Sequence, residues 1–370
     1  MKVATLNAGA STVKAALVEV SGDRAALLTR ALRELPEDGD RAEALAGALA
    51  DLAARPGDVA AVGHRVVHGG SFFREPVRID AGVEERLAAL VPLAPLHLPP
   101  ALEGIRIARG AFPGRPQVAI FDTAFHAGRP AESRLYALPR ELADSLGLYR
   151  YGFHGIAHAA LVESLAEALG THASQVTAVT LQLGAGCSAC AVEGGRSLET
   201  SMGFTPLEGL VMATRSGDLD PGAVLHLLRQ GYAPEAVEEL LTRRSGLLGL
   251  AGSPDLRRVL AAEARGDERA ALAVALFVRR VVATVGAYWT LLSGLGALVF
   301  GGGIGTHSAE IRRRVAAGLR AWGVALDPDR NATGGPGLLS APGSRPVHVF
   351  ETDEERQIAR SAARLLEEGP

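Results

Sequence analysis

Charged residues interrupt apolar stretches at three places in this chain of 370 residues. Arg65 stands between "GH" and "VV", Asp122 follows an apolar run, and Arg215 lies within "TRSGDLDP". A charge buried without a partner is costly, so each residue predicts either an internal salt bridge, such as Arg65 with Asp122, or a binding site. Arginine suits both a planar carboxylate and a transferring phosphoryl group.

Glycines follow three apolar segments that have the composition of strands. They are Gly9, Gly184 with Gly186, and Gly301–Gly305. Glycine lets backbone N–H groups approach an anion closely, although the chain contains no Walker motif. Lys14, the only lysine beyond the second residue, follows the first turn. Its position fits either an outward-facing strand residue or a point charge directed at a phosphate, and the three turns together favour phosphate binding.

The pattern of strand, glycine turn and strand occurs twice. It is "TLNAGASTVKAAL" from Thr5 and "TLQLGAGCSACAV" from Thr180, about half a chain apart. When the two stretches are aligned, Asn7 meets Gln182 and the first glycines of the turns coincide. Two such hairpins predict a duplicated fold.

Strand-like and helix-like segments alternate along the chain, which predicts an α/β fold. A long Ala/Val/Leu helix over 267–293 should begin at Asp267, and the closing helix should begin with a capping box formed by Thr352 and Glu355. Segment 200–221 is long, rich in glycine and weakly periodic, which indicates a functional loop. Further helices are predicted at 41–54 and 83–90.

Composition and charge restrict the class of protein. The formal net charge is −3 without a basic block, which argues against nucleic acid as a partner. No apolar run reaches the ~18 residues of a membrane span and the first residues indicate a strand rather than a signal peptide, so we expect a cytoplasmic protein that binds no membrane. Cys187 and Cys190 resemble small core residues, and with His154 and His158 they lack the further ligands of a zinc site.

Longer motifs occur in an order that resembles the acetate kinase family over nearly the whole chain. They are "GHRVVHGG", "VAIFDTAFH", "YGFHGIAH", "TSMGFTPLEGLVM", "TRSGDLDP", "ALVFGGGIG" and "TDEE". The resemblance implies the fold of the actin, sugar kinase and Hsp70 superfamily, with two ribonuclease-H-like domains and an interdomain cleft. Residues 1–124, joined by the closing helix 355–370, would form the first domain. Residues 125–354 would form the second, which binds the nucleotide and forms the dimer interface.

The reaction implied by this resemblance is reversible phosphoryl transfer from ATP to acetate, which gives ADP and acetyl phosphate. Because a carboxylate is already ionised at neutral pH, the task is positioning and charge neutralisation rather than general-base catalysis. By resemblance, Asp122, His154 and Arg215 are catalytic, and Arg65 holds the acetate carboxylate. The residues that would enclose the methyl group are Val67, Leu96, Phe153 and Pro206.

The resemblance also implies a metal site and a nucleotide site. Asn7 and Glu354 would anchor Mg²⁺ or Mn²⁺, and Lys14 would reach the phosphates of ATP. The other nucleotide contacts would come from three segments: Gln182, Leu183, Gly184, Ala185 and Gly186; Asp255, Leu256 and Arg257; and Gly303, Ile304, Gly305, Thr306 and His307. Membership of this family would also imply a homodimer.

Departures from the family pattern lie mostly on the nucleotide side. Ala10 replaces a serine of the first turn. Gln182 and Ala185 replace a histidine and an asparagine of the second turn, and Thr306 departs from "GIGEN". These changes predict weaker binding of ATP through side chains, while backbone N–H groups of the turns remain.

Three alternatives stay open from the sequence. Propionate or butyrate could be the acceptor, although Val67 argues against a larger acid. Pyrophosphate could be the donor, although Gly303 leaves room for adenosine. A non-catalytic nucleotide-binding protein of the same fold is the third alternative, and the retained set of charged residues argues against it.

Overall fold

The computed structural model describes residues 1–9, 12–22, 24–34, 40–95, 97–294 and 296–368. Its internal contacts define two compact units. The first contains residues 1–128, 153–160 and those from 353 onward, and the second contains 129–152 and 161–352. Segment 153–160, which the predicted division places in the second domain, has its contacts with the first unit.

Strands and helices alternate in both units, which confirms the predicted α/β class. The strands are β1 (Lys2–Ala8), β2 (Thr12–Ser21), β3 (Arg24–Glu34), β4 (Ala61–Val66), β5 (Val77–Arg78), β6 (Gln117–Phe121), β7 (Ala178–Leu183), β8 (Cys187–Glu193), β9 (Arg196–Thr200), β10 (Ala297–Gly301), β11 (Gly337–Leu338) and β12 (Val347–Val349). The helices are α1 (Arg41–Ala50), α2 (Ala81–Ala89), α3 (Leu98–Ala111), α4 (Ala131–Arg134), α5 (Arg140–Leu146), α6 (Gly155–Leu169), α7 (Pro221–Arg229), α8 (Pro234–Arg243), α9 (Gly246–Ala251), α10 (Leu256–Ala264), α11 (Glu268–Trp289), α12 (Gly302–His307), α13 (Ala309–Gly318), α14 (Pro328–Thr333) and α15 (Glu354–Glu367).

The first unit is built on a mixed sheet. Within the described residues its six strands have the order β3-β2-β1-β4-β6-β5. β1, β2 and β3 form an antiparallel meander, whereas β1, β4 and β6 run parallel. Because parallel strands end at the same edge of a sheet, the last residues of β1, β4 and β6 lie side by side.

The second unit repeats this sheet. Its six described strands have the order β9-β8-β7-β10-β12-β11, with β7, β10 and β12 parallel. Each strand corresponds to one strand of the first sheet, including a short antiparallel strand at the outer edge beside β12. The duplication predicted from the two hairpins is therefore confirmed.

Helices cover both faces of the first sheet. Leu45 and Leu49 of α1 and Phe112 after α3 pack on one face with Leu6 of β1. On the other face, α15 contributes Ile358, Ala359 and Ala362, which pack on Val3, Val18 and Ile120. Since both faces are buried, β1 is a nearly continuous apolar run, and every residue after Lys2 in it is buried.

Two helix starts test the predicted caps. Asp267 caps α11 as predicted, because its carboxylate accepts a hydrogen bond from the N–H of Ala270 at 3.0 Å. The predicted capping box of the closing helix is wrong. Asp353 is the N-cap of α15 and accepts from the N–H of Arg356 at 3.0 Å. Asp is at least as favourable as Thr at the N-cap position of a helix. The Thr352 hydroxyl forms hydrogen bonds elsewhere, with Gln182 and Gly302.

The expectation that no segment could span a membrane needs a correction. Among the described residues, α11 is long and apolar enough to cross a bilayer by length and composition alone. The helix carries exposed Arg279 and Arg280 near its middle, and it buries a stripe that includes Val274, Phe277 and Val281. A buried apolar stripe on one side with charged residues on another is the pattern of a helix at the surface of a globular unit.

Candidate active site

The first unit gathers Asn7, Arg65 and Asp122 where β1, β4 and β6 end. Nε of Arg65 donates to the two carboxylate oxygens of Asp122 at 3.1 and 3.2 Å, and Nη2 donates at 2.6 Å. Its Nη1 donates to Oδ1 of Asn7 at 3.2 Å. The salt bridge considered from the sequence is therefore present, and Asp122 fixes the plane of the guanidinium.

Glu354 adds a second carboxylate to this charged cluster from the start of α15. One of its oxygens accepts from Nδ2 of Asn7 at 3.1 Å. Burial alone would raise the pKa of Glu354, but positive neighbours, Arg65 foremost, lower it below its usual value. Burial alone would lower the pKa of Arg65, and the charges of Asp122 and Glu354 reverse this and raise it. The guanidinium is thus permanently charged between two carboxylates.

Asp122 differs from Glu354 in its exposure. Its side chain is almost completely buried, and that burial raises the pKa of Asp122 more than the charge of Arg65 lowers it. A carboxylate in such a place depends on its arginine to remain ionised. The pair therefore acts as one unit.

His154 has an unusual backbone, with a φ of 58°. This conformation costs a residue with a Cβ about 1–2 kcal/mol, so its surroundings must hold it. The next N–H, that of Gly155, donates to the carbonyl of Asp122 at 2.8 Å, and a Cβ at Gly155 would collide with that carbonyl. The preceding carbonyl, that of Phe153, lies 3.0 Å from Nε2 of His126. His154 is therefore tied to the segment that carries Asp122.

Two residues predicted to enclose a methyl group lie in this unit. Val67 follows β4 and is buried, and Phe153 is buried with its ring edge-on to His68 at 5.4 Å. Leu96 lies outside the described residues. Lys14 lies opposite Asn7 in the pairing of β1 with β2 and is exposed. Its ammonium contributes to lowering the pKa of Glu354.

In the second unit, Arg215 lies in the loop before α7 and has an unusual environment. Its Nη1 donates to the carbonyl of Pro206 at 3.1 Å and lies 3.6 Å from Sδ of Met212. Burial lowers the pKa of Arg215. Within the described ranges of the chain, no carboxylate forms an ion pair with it. A half-buried guanidinium without a protein anion is suited to an anionic ligand.

The second hairpin turn is joined to the glycines after β10 by one threonine. The hydroxyl of Thr352 donates to Oε1 of Gln182 at 2.8 Å and accepts from the N–H of Gly302 at 3.0 Å. Gly302 has a φ of 73° and no space for a Cβ, which would meet the backbone of Leu183. Gln182 thus fixes neighbouring backbone, a role that the sequence did not indicate.

The remaining predicted nucleotide residues lie in two places of this unit. Gly184, Ala185 and Gly186 form the turn between β7 and β8, and Gly303, Ile304, Gly305, Thr306 and His307 belong to α12. The buried Arg312 donates to the carbonyls of Gly305 and Thr306 at 2.9 and 2.6 Å. Asp255, Leu256 and Arg257 begin α10, where Asp255 caps the helix and pairs with Arg257 at 2.7 Å.

Cys187, Cys190 and His158 have the environment of core residues. Burial raises the pKa of the Cys187 and Cys190 thiols to about 12. Burial lowers the pKa of His158 to about 3. A metal would need thiolates or an accessible imidazole, and neither is favoured here.

The donor set around Glu354 fits a magnesium ion that is held partly by substrate. Oδ1 of Asn7 already accepts from Arg65, so Glu354 is the main protein ligand available. Mg²⁺ commonly takes one or two protein carboxylates and completes its shell with waters and phosphates. In the described part of the chain, no group of three or more His, Cys, Asp or Glu side chains could hold a metal ion by itself.

Several residues with structural roles here were missed from the sequence. Thr352 joins two segments of the second unit instead of taking part in a helix cap, and His126 contacts the Phe153 carbonyl. Glu208 binds Tyr136 and Arg150 within the loop that carries Arg215. A lone carboxylate in the apolar, glycine-rich stretch "GFTPLEGLVM" was a usable signal for Glu208. Nothing in the sequence indicated its partners.

Comparisons with known proteins identify the family of this chain. The family model described as "Acetokinase family" matches residues 29–360. An acetate kinase of Streptomyces coelicolor is 41% identical, over 99% of this chain and 97% of its own. The crystal structure of Porphyromonas gingivalis acetate kinase has a TM-score of 0.88 at 34% identity and covers 99% of both chains. A propionate kinase from Francisella tularensis has a TM-score of 0.87 at 35% identity, over 97% of this chain and 98% of that chain. The predicted fold is confirmed by these structures.

Proposed function

The chain belongs to the acetokinase family, and from that premise we propose that it catalyses reversible phosphoryl transfer between ATP and acetate. The products in the forward direction are ADP and acetyl phosphate. The observation that carries this proposal is the charged cluster of Asn7, Arg65, Asp122 and Glu354 at the sheet edge. A protein that only binds a nucleotide has no need of an Arg65–Asp122 pair linked through Asn7 to a second carboxylate, that of Glu354, so the non-catalytic alternative is disfavoured.

We propose roles for the charged residues that the family resemblance implies and that their surroundings support. Acetate arrives ionised, so the site must orient it and offset the charge that accumulates around the transferring phosphoryl group. We assign the acetate carboxylate to Arg65, whose orientation Asp122 and Asn7 maintain. Arg215, which has no carboxylate partner among the described residues, and His154 would stabilise the phosphoryl charge.

We propose that the acceptor is a small acid. Val67 is buried and β-branched, and the buried Phe153 is braced by His68. With Pro206 and Leu96 they would enclose a methyl group. One surplus methylene in a fitted pocket costs about 1–3 kcal/mol, so propionate should be a poorer acceptor. The similarity to a propionate kinase keeps that acid as the second candidate.

The donor side fits ATP with a divalent cation. In this proposal the two glycine segments of the second unit would offer backbone N–H groups to the phosphates, and Lys14 and Glu354 would offer charged groups. Mg²⁺ or Mn²⁺ held by Glu354, near Asn7, would neutralise phosphate charge. Binding through backbone explains how Gln182 and Ala185 could replace polar phosphate contacts at a moderate loss of affinity for ATP.

Location and assembly are parts of the same proposal. We propose a cytoplasmic homodimer that uses acetate, acetyl phosphate, ATP and ADP, with neither nucleic acid nor membrane as a partner. The exposed apolar side of α11, which includes Leu272, is the surface available for the dimer contact. Sedimentation velocity would measure the mass directly.

A coupled assay of ADP release tests the function. Purified protein is given MgATP with acetate, propionate or butyrate. In a parallel series pyrophosphate replaces ATP and the acyl phosphate is measured instead, because pyrophosphate leaves orthophosphate and no ADP. We expect ADP release that depends on acetate, with kcat/KM for acetate about 10-fold above that for propionate. Absence of release with every acceptor would overturn the proposal, and a preference for propionate would overturn the acceptor assignment.

A further inference from the structure

A hydrogen-bond network holds part of the loop that carries Arg215 in the second unit, and the proposed function gives it no role. Its centre is the carboxylate of Glu208, which accepts from the hydroxyl of Tyr136 and from Nη1 of Arg150. The Tyr136 oxygen in turn accepts from the backbone N–H of Phe204 at 2.9 Å. One phenol therefore connects both ends of the segment 204–208.

The same segment is held at its beginning by backbone contacts. The carbonyl of Gly203 accepts from the N–H groups of Tyr151 and Gly152 at 3.0 and 3.1 Å. A Cβ on Gly203 would collide with the Glu208 carboxylate and the Tyr136 hydroxyl, so the packing leaves no room for a side chain at this position. Segment 203–208, here called the clamped segment, has little freedom to move.

Arg150 is itself fixed from behind. Its Nη2 donates to the carbonyl of Thr200 at 3.0 Å. The fully buried guanidinium of Arg129 donates to the carbonyls of Arg150 and Tyr151 and pairs with Glu199 at 3.0 Å. The positive charge of Arg150 offsets the negative charge of Glu208, so the network does not place an uncompensated carboxylate near Arg215.

The clamped segment reaches Arg215 through Pro206. The carbonyl of Pro206 accepts from Nη1 of Arg215 at 3.1 Å. Because Arg215 has no carboxylate partner in the described part of the chain, this carbonyl is its principal polar contact there. Arginine recognises planar anions by direction, so a shift of the carbonyl would misdirect the guanidinium.

We propose that Glu208 is a positioning residue, which with Tyr136 and Arg150 fixes the clamped segment so that the Pro206 carbonyl orients Arg215 for the transferring phosphoryl group. The inference rests on the proposed role of Arg215. Glu208 touches neither substrate in this scheme. Its effect is on the chemical step rather than on ATP binding.

Two variants with nearly unchanged shapes test this inference. Tyr136→Phe removes the hydroxyl, and Glu208→Gln removes the charge that Arg150 binds. Since small misplacements of a catalytic group commonly cost one to two orders of magnitude, each variant should lower kcat about 10-fold or more. KM for ATP should stay within about two-fold of wild type.

A matched control lies in the same unit. Tyr149 donates from its hydroxyl to the Asp144 carboxylate at 2.7 Å at the protein surface. Tyr149→Phe therefore removes the same kind of bond without touching the clamped segment. It should retain the wild-type kcat, and thermal unfolding of all variants should show that they fold.

A double-mutant cycle separates positioning from general structural damage. If Glu208 acts through Arg215, Glu208→Gln lowers kcat no further when Arg215→Ala is already present. Multiplicative losses, or a wild-type kcat in Tyr136→Phe, would overturn the inference while the acetate-dependent activity of the wild type still supports the proposed function. A wild type without that activity would instead refute the proposed function, and with it this inference.

Discussion

The two sheets carry chemically different clusters at corresponding positions. When the hairpins are aligned, the strand registers define the equivalent residues. They are Asn7 and Gln182, Arg65 and Gly301, and Asp122 and Thr352. In the first unit Arg65 bridges Asp122 and Asn7, whereas in the second the hydroxyl of Thr352 bridges Gln182 and the N–H of Gly302. One duplicated framework thus holds a charged cluster and a neutral one.

This difference shows how the two halves of a duplicated fold can serve different tasks in one reaction. A charged cluster with a fixed guanidinium suits a carboxylate and the charge that develops during transfer. A neutral cluster that fixes glycine backbone suits phosphates, which N–H groups can bind without side chains. The charged cluster should therefore control the acceptor and the chemical step, and the neutral cluster should control the donor.

Removing the bridging arginine should have the largest effect. Arg65→Ala leaves Asp122 buried without a cation, and breaking a buried pair from one side costs about 3–5 kcal/mol of unfolding free energy. KM for acetate should also rise strongly. Denaturant unfolding and the ADP assay measure the two effects.

An exposed pair in the same unit provides the control for Arg65. Arg33 donates to both oxygens of Asp51 at 2.9 and 3.0 Å on the surface. Arg33→Ala should leave unfolding and activity unchanged, since exposed pairs contribute little. If Arg65→Ala also left the unfolding free energy and the activity unchanged, the charged cluster would not be the feature that distinguishes the two units.

Burial lowers the pKa of His64, His68 and His158 in the first unit and of His348 in β12 of the second, and the larger number in the first unit should make it the more sensitive to acid. Burial lowers the pKa of His64 and His68 to about 4 and that of His158 to about 3. They stay neutral in the folded protein, while the unfolded chain takes up protons below the ordinary value of 6.5. Their stabilisation is therefore complete above pH 6.5 and is lost as the pH falls toward 4.

The acid effect can be measured and assigned. Each buried histidine should cost roughly 1 kcal/mol of stability between pH 6.5 and 5.5. Hydrogen exchange followed by mass spectrometry should show protection falling first in β1, β4 and β6. The exposed His226 in the second unit gives a control, and His226→Gln should leave the profile unchanged. Earlier loss of β7, β10 and β12 would contradict this ranking.

Much of the framework could be predicted from local patterns. Two hairpins with glycine turns predicted the duplication, and an Asp before an apolar periodic run predicted the start of α11. The apolar run before Asp122 placed this residue at a strand end. These features depend on residues close together in the chain, where propensity and periodicity carry information.

The rest depends on contacts between distant residues. Thr352 and Gln182 are 170 positions apart. Local patterns therefore predict a helix cap for Thr352 and a phosphate contact for Gln182, and they do not predict the bond between the two. The φ of His154 is imposed by the Asp122 carbonyl rather than by its own preference. Tyr136 and Glu208 are 72 positions apart, and no local pattern connects them.

We expect the charged cluster to control acetate binding and the chemical step, and the neutral cluster to control ATP binding. The most direct test is a measurement of kcat, KM for acetate and KM for ATP in Arg65→Lys and Gln182→Ala. Gln175→Ala is the matched control, because Thr171 donates to Gln175 at the surface of the second unit just as Thr352 donates to Gln182. Arg65→Lys should raise KM for acetate and lower kcat with KM for ATP nearly constant. Gln182→Ala should raise KM for ATP about five-fold, which corresponds to the free energy of one lost hydrogen bond. KM for acetate should stay constant in this variant, and Gln175→Ala should leave kcat and both KM values unchanged. Equal changes in both KM values for either cluster variant would contradict the division of tasks.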